Sequence, residues 1–513
     1  MICSNPVAGA RFFNFVVTTF IKVILGYGND HEGLFGRINA YYGTVEQQGR
    51  LTLHLHMILW VMGTLTPQEM RNQILNPNSD FKERIIAWIE SCQVGEFLTG
   101  TYDEVAKKVN LASNIEKYED PTETLPLPSP PQCPSSCGKC NACMALNDWW
   151  KQYSNVIDDL ILKSNVHNCN YKTNKASAST FKGCKDNKYG TCKARFPRPT
   201  YEYTKIDPES GAIDLKKKEA WINSISPTLT YLLHCNTDVT CMWSGTALKA
   251  VIIYISDYIT KSGLKTHVVF DAIRGILSKN TEILNKDISD NDKARQLICK
   301  IANLLATKTE LGSPMICMYL LDHPDHYTSH SFIPFYWKTF VDNVLLNLNP
   351  TDSHINQPNL KLYNINKKIV GTFPVDDYIY RPKKLEELNV YDWRSQCSTI
   401  RVGKKKENDI ESNNSENDNN SVSRTPKKSF QFLTGHPFYE THACTISNQN
   451  DKKVINFIGS PLPRFDEGDR EFYCCTMLTF FKPWRSGHDL KLANQSWNDA
   501  FNYIIFYTIN YKS

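Results

Sequence analysis

The chain has 513 residues, 22% of them charged, with a formal net charge of +5. That length leaves room for two to four domains and a large core, and the mildly basic balance permits nucleic-acid binding without demanding it. Seventeen cysteines, many of them isolated, argue against a disulfide scaffold and for reduced thiols and metal ligands in an intracellular, reducing compartment.

In chain order, Asn5-Pro6 opens a predicted helix running to Gly26. Its apolar run from Phe12 to Leu25 is too short to span a bilayer and contains Lys22, so it reads as an amphipathic core helix with no membrane partner; no secretory signal is evident. The stretch "YYGTVEQQGRLTLHLHMILW", Tyr41 to Trp60, then reads as two strands closed by Gln48-Gly49-Arg50. Side chains alternate along a strand, so His54 and His56 share one face while Leu53, Leu55 and Met57 take the other. A tight hairpin brings Glu46 or Gln48 beside the imidazoles. Two imidazoles and an oxygen ligand make an open site for a divalent cation, with positions left for water or a phosphate oxygen. The plainer alternative for a His-x-His strand is a half-buried, hydrogen-bonded pair.

Thr66-Pro67-Gln68-Glu69 has the form of a capped helix start, and helical periodicity returns from Asp80 to Ser91. The five prolines between Pro121 and Gln132 predict an extended connector. A cysteine block follows as Cys133-x3-Cys137-x2-Cys140-x2-Cys143, then His167-x-Cys169 and Cys184-x7-Cys192. Thiolates and imidazoles at such spacing suit tetrahedral zinc, which can hold a loop-rich region together with little core. One zinc is expected from the four close cysteines; grouping His167, Cys169, Cys184 and Cys192 around a second ion spans longer gaps. Further on, "ALKAVIIYISDYITK" predicts a helix over Gly245 to Lys261, with Tyr254 and Tyr258 stacked on one face and Val251, Ile252, Ile255 and Ile259 on the opposite side. The bland reading of that pair is two aromatics along a core edge. Beside a metal site, a phenolate is also a competent nucleophile at phosphorus. Helical patterns continue from Val268 to Thr307. The run Arg401 to Ser429, low in apolar residues, predicts a disordered linker, and the aromatic-rich segment after it is expected to pack on the body.

The segments "NPVAGARFF", "AYYGTVEQQGRLTLHLHMILW", "VGEFLTGT", "CKARFPRP", "YLLHCNTDV", "WSGTALKAVIIYISDYITK", "GSPMICMYLL" and "DHYTSHSFIPFYW" together resemble the replication-initiator region of Helitron rolling-circle transposases, called Helitron helicase-like. The resemblance implies a nuclease of the His-hydrophobic-His class, a tyrosine-nucleophile DNA endonuclease and strand transferase. His54 and His56 on a central antiparallel strand would hold Mg²⁺ or Mn²⁺, with Glu46 or Gln48 completing the site. Tyr254 and Tyr258 would attack single-stranded DNA at transposon ends, leaving a 5′-phosphotyrosine and a free 3′-hydroxyl. Arg50, Lys249, Lys261, Arg195 and Arg198 are the candidate strand-holding cations, each with a solvated surface charge as its ordinary alternative. The resemblance further implies a nuclear, or otherwise intracellular, location.

Two departures from the family pattern stand out. No G-x-x-x-x-G-K-[ST] phosphate-binding loop occurs, so no ATP-driven helicase motor is expected in this chain, and a full-length Helitron protein or a host helicase in trans is the expected partner. The short stretch ahead of the hairpin suggests a truncated copy lacking one strand of the nuclease sheet, which would expose an edge. The alternative function is therefore a catalytically impaired relic that only binds single strands; a purely structural zinc protein is the third reading. The expected architecture is α+β: a central antiparallel sheet flanked by helices, with a zinc-bearing insertion. Its parts are a first nuclease segment (1–120), the connector and Cys/His insertion (121–200), a second nuclease segment (201–400), the linker (401–429) and a C-terminal segment (430–513).

Overall fold

The computed structural model describes residues 5–47, 52–115, 118–135, 137–169, 184, 191–192, 194–207, 213–242, 252–253, 266–279, 289–308, 311–350, 360–365, 368–402, 429–447 and 453–510. The fold is mixed α+β, with small sheets set among many helices, and it divides into two units, residues 1–327 and 328–513.

In the first unit, helix α1 (Pro6–Thr19) starts at Asn5, whose side chain accepts the Ala8 amide, with proline at the first helical position. A π-helical turn, Phe20–Ile24, extends it. The 19 residues Pro6–Ile24 are long and apolar enough to cross a membrane by length and composition alone. Here Val17 and Ile21 instead pack on the hairpin, while Phe12, Phe15 and Val23 stay exposed. The helix is thus only partly the core element that the sequence suggested.

Strands β1 (Ile38–Gln47) and β2 (Leu53–Val61) pair antiparallel, with Glu46 opposite His54, Thr44 opposite His56 and Gly43 opposite Met57. One face presents Val45, Leu53, Leu55 and Met57 to α1 and to Met315 and Tyr327. Gly43 sits on this apolar face, where a Cβ would come within 2.9 Å of Met57 Cε and 3.1 Å of Leu55 Cδ1, so a side chain there would make those two chain ends shift. A third strand, β3 (His326–Thr328), lies on the far side of β1, giving the order β2-β1-β3. The strand carrying the histidines is therefore at the end of the described sheet and not in its centre, a correction to the family-based expectation. Gln47, on the apolar side, reaches across to accept the Gly312 amide at 2.7 Å, fixing the start of the helix Ser313–Leu320.

Helices α2 (Pro67–Ile74) and α3 (Phe81–Cys92) follow the hairpin, and α2 carries the reciprocal Thr66/Glu69 capping box. Helix α4 (Tyr102–Ser113) and the long α5 (Asn141–Leu160), which continues as a π-helical turn Ile161–Asn165, enclose a second core of Phe97, Val105, Ile157, Ile161, Ile222, Ile225 and Tyr231. Asp158, 2% exposed in that core, accepts the amides of Leu98 and Thr99 at 2.6 and 2.8 Å and the Thr99 hydroxyl at 2.6 Å. It ties the "VGEFLTGT" loop to α5. Further along, the helices Thr266–Lys279 and Asp290–Lys308 meet through Ile276, Leu297, Ile301 and Leu304.

The second unit has its own core, in which segments of 430–513 pack with residues 335–397 through Phe335, Trp337, Phe340, Tyr378, Trp393, Phe432, Phe480 and Trp484. Its described strands form one parallel pair, Lys453–Phe457 on Ser331–Phe335, one antiparallel pair, Lys361–Ile365 with Lys368–Thr372, and a three-stranded antiparallel sheet with His442–Ile446 in the middle. Arg381, 1% exposed, lies over the Tyr378 ring at 4.1 Å and donates to the carbonyls of Tyr378, Leu385, Glu386 and Trp484. A buried guanidinium is tolerated because four of its five N–H donors find carbonyl partners.

Candidate metal and nucleic-acid sites

The polar face of the hairpin carries Tyr42, Thr44, Glu46, His54 and His56, since cross-strand partners point to the same side. Glu46 Oε2 lies 3.0 Å from His56 Nε2, both side chains less than a fifth exposed. Two ligands about 2.1 Å from one ion and at right angles are about 3.0 Å apart, so this pair has the spacing of adjacent ligands on an octahedral cation. The ring of His54 sits edge-on to that of His56, centroids 4.8 Å apart. Burial, then the neighbouring His56, push the His54 pKa down, against a smaller opposite pull from Glu46. His54 is thereby kept as the neutral imidazole a metal needs. Among the described residues, however, sets of three or more ligand atoms within 4.8 Å of one another occur only in the cysteine region, so His54 is not drawn in as tightly as His56 and Glu46.

The same face continues onto β3. His326 lies 5.9 Å from the Tyr42 ring, and its Nδ1 is 2.7 Å from Asp325 Oδ1, while Asp325 Oδ2 accepts the Tyr319 hydroxyl at 3.1 Å. An imidazole held by an oriented carboxylate can carry a proton. The motif "DHYTSHSF" contains Asp325 and His326, but only the pairing of β3 with β1 brings them into the same sheet as the His-x-His strand, across β1 from it. Gln48, Arg50, Lys249, Tyr254, Tyr258 and Lys261 lie outside the described residues.

The cysteine region resolves into two clusters. In the first, Cys133, Cys137, Cys140 and Cys143 bring all four sulfurs within 4.8 Å of one another. Tetrahedral zinc with bonds of about 2.3 Å requires sulfurs about 3.8 Å apart. The Sγ atoms of Cys133 and Cys137 are 3.9 Å apart, those of Cys137 and Cys143 4.0 Å. Hydrogen bonds from the Ser135 hydroxyl, the Cys137 and Ser135 amides and the Cys140 thiol lower the Cys133 pKa to about 5, favouring the ligating thiolate. The second cluster unites His167, Cys169, Cys184 and Cys192. A tetrahedral nitrogen–sulfur separation is about 3.6 Å; His167 Nε2 lies 3.4 Å from Cys184 Sγ and 3.3 Å from Cys192 Sγ. Both clusters could hold zinc, so the longer sequence gaps do not prevent the second set from closing. They stand at opposite ends of the helical run begun by α5: Cys140 precedes its first residue, and His167 follows the π-helical turn by two residues.

Arg195 and Arg198 follow the second cluster. Arg195 is exposed and adopts a positive φ of 62°. Arg198 is half-buried with its guanidinium 4.8 Å from the Phe196 ring, and Phe196 is stacked on His167 at 4.3 Å. Asp238, in "YLLHCNTDV", carries no signal in its sequence that marks it. It takes a hydrogen bond from Asn223 at 3.0 Å, and crowding by protein raises its pKa against the opposing pull of Arg198, Lys217 and His56.

Fold and sites together define an α+β protein with a His-x-His hairpin and two Cys/His clusters suited to zinc. Residues 2–59, which include α1 and most of the hairpin, match the family model described as "Helitron helicase-like domain at N-terminus", which supports a Helitron-related protein. No curated protein and no solved structure matches the chain.

Proposed function

We propose that this chain is a Helitron-derived rolling-circle replication initiator that nicks and transfers single-stranded DNA. The observation that carries the reading is the shared face of His54, His56 and Glu46, with Glu46 and His56 spaced as two ligands of one cation. His54, His56 and Glu46, with Gln48 nearby in sequence, would hold Mg²⁺ or Mn²⁺. Such an ion supplies Lewis-acid polarisation of the scissile phosphate. The phenolic oxygen of Tyr254 or Tyr258 attacks phosphorus, a 5′-phosphotyrosine bond forms, the P–O3′ bond breaks, and the phenolic proton ends on the 3′-hydroxyl. A second tyrosine allows a second transfer. The DNA belongs to transposon ends, the site of action is the nucleus, and duplex unwinding comes from a full-length Helitron protein or host helicase in trans.

A labelled single-stranded oligonucleotide pool incubated with the full chain and Mn²⁺ tests this. A covalent protein–DNA adduct is expected, absent in EDTA, absent in His54→Ala/His56→Ala and lost when Tyr254 and Tyr258 are both changed to Phe. The looser placement of His54 and the terminal position of β2 favour a second reading, a relic that binds single strands without cutting them. Salt-dependent binding that persists in EDTA with no adduct under any condition would establish it.

A further inference from the structure

Two partly buried cations, Arg198 and Lys217, lie in the segment that follows the second cysteine cluster and in the chain paired with it. The segment ending the second cysteine cluster runs beside residues 217–220: Arg198 donates its amide to Ala220 at 2.8 Å, and Tyr201 and Lys217 exchange both backbone bonds at 2.8 and 2.9 Å. The Lys217 side chain does not leave for solvent. Its stem lies against Gly95, where a Cβ would come within 2.8 Å of Lys217 Cγ, and its amine donates to the Ile222 carbonyl at 2.7 Å. It is thus led along the strand toward Ala220, the residue opposite Arg198. Arg198 is pinned over Phe196, its Nε buried with no hydrogen-bond partner. Neither side chain forms an ion pair at contact distance with any described residue. Burial and then the neighbouring Arg198 depress the Lys217 pKa, as expected for two like charges brought together.

Two acids lie near. Glu219 is occupied in accepting the Trp221 amide at 3.1 Å. Asp238 is held by Asn223, the residue that follows the Ile222 whose carbonyl Lys217 reaches. Asp238 is thus a carboxylate whose charge acts on both cations without contact with either. Partly buried cations without contact partners are costly unless an anion completes them, and guanidinium and ammonium groups side by side are the usual receivers of phosphate oxygens.

We infer that Arg198 and Lys217 form a phosphate subsite for a single-stranded nucleic acid, held in place by the second Cys/His cluster through the His167–Phe196–Trp221 stack. This rests on the nickase reading for its ligand, a single strand. The subsite does not require cleavage, which lets the two ideas fail separately.

The test is fluorescence anisotropy of a labelled 20-nucleotide single strand on the full, zinc-loaded chain across a salt series. Lys217→Met and Lys217→Met/Arg198→Gln are compared with the wild-type chain, with zinc content and circular dichroism measured on each. Removing each phosphate-binding cation should lower the slope of log affinity against log salt by about 0.7 and weaken binding on the order of tenfold at low salt. Asp238→Asn should tighten binding, because it removes a competing anion. Unchanged slopes in Lys217→Met and in the double variant would overturn the subsite while leaving nicking untouched. If the double variant fails to fold, Lys217→Met decides alone, since removing one of two like charges relieves repulsion. A shallower salt slope in the variants, together with a wild-type chain that forms no adduct with Mn²⁺, would keep the subsite and end the nickase reading.

Discussion

Cys192→Ser removes one of the four ligands of the second cluster, and its consequences follow from the geometry. The sulfur–sulfur distances of 3.9 and 4.0 Å in the first cluster and the nitrogen–sulfur distances of 3.4 and 3.3 Å in the second each lie within a few tenths of an ångström of what tetrahedral zinc requires. Two zinc ions per chain are expected. Structural zinc binds with about 10–16 kcal/mol of apparent free energy at neutral pH, so one ligand of four carries roughly 3–4 kcal/mol. Losing it should weaken the second site by about two to three decades and leave the first unaffected. Exhaustive dialysis against a nanomolar chelator followed by elemental analysis should give two zinc ions in the wild-type chain and one in Cys192→Ser. Because His167 is stacked on Phe196 and donates its backbone amide to Trp221, tryptophan fluorescence should change when the ion leaves. A wild-type content of one or none, or a variant that still retains two, would refute the reasoning from ligand spacing.

Three further outcomes are expected. Asp158→Ala should destabilise the first unit by about 3–5 kcal/mol, because it strands two buried amides and a hydroxyl, and Asp158→Asn by less; urea unfolding followed by circular dichroism measures both. Arg381→Met should cost about 3–5 kcal/mol by leaving four carbonyls of the second unit without their donor, and Arg381→Lys should recover little, since an ammonium cannot span them. Burial would raise the Asp377 pKa, but hydrogen bonds from His436 at 3.0 Å and Thr399 at 2.7 Å outweigh it and hold the carboxyl below its ordinary 3.8. The unfolded chain therefore takes up this proton first as pH falls. The stabilisation is present above pH 3.8 and lost as pH drops through the depressed folded value. Thermal melts from pH 6 to pH 3 should show a shallower acid decline in Asp377→Asn than in the wild-type chain.

Local pattern carried a good part of the hairpin. Alternation in "LTLHLHM" places His54 and His56 together whatever surrounds them, because side-chain direction in a strand is set by the backbone. The Thr66/Glu69 box and the four close cysteines were legible for the same reason: their partners lie within a few residues. The set His167, Cys169, Cys184 and Cys192 was legible as a candidate second site, but the bond from Gln47 to Gly312 and the pairing of Arg198 with Ala220 were not. Each joins residues far apart in sequence, and their spacing carries no period to read.

The sequence by itself determined which residues can ligate and which face of a strand or helix they share, since these depend on covalent chemistry and short-range geometry. Only the tertiary structure decided that β2 ends the described sheet, that the second Cys/His set closes, and that two cations gather without counter-ions at contact. Those outcomes depend on which apolar surfaces bury one another, and burial is a property of the whole packed unit.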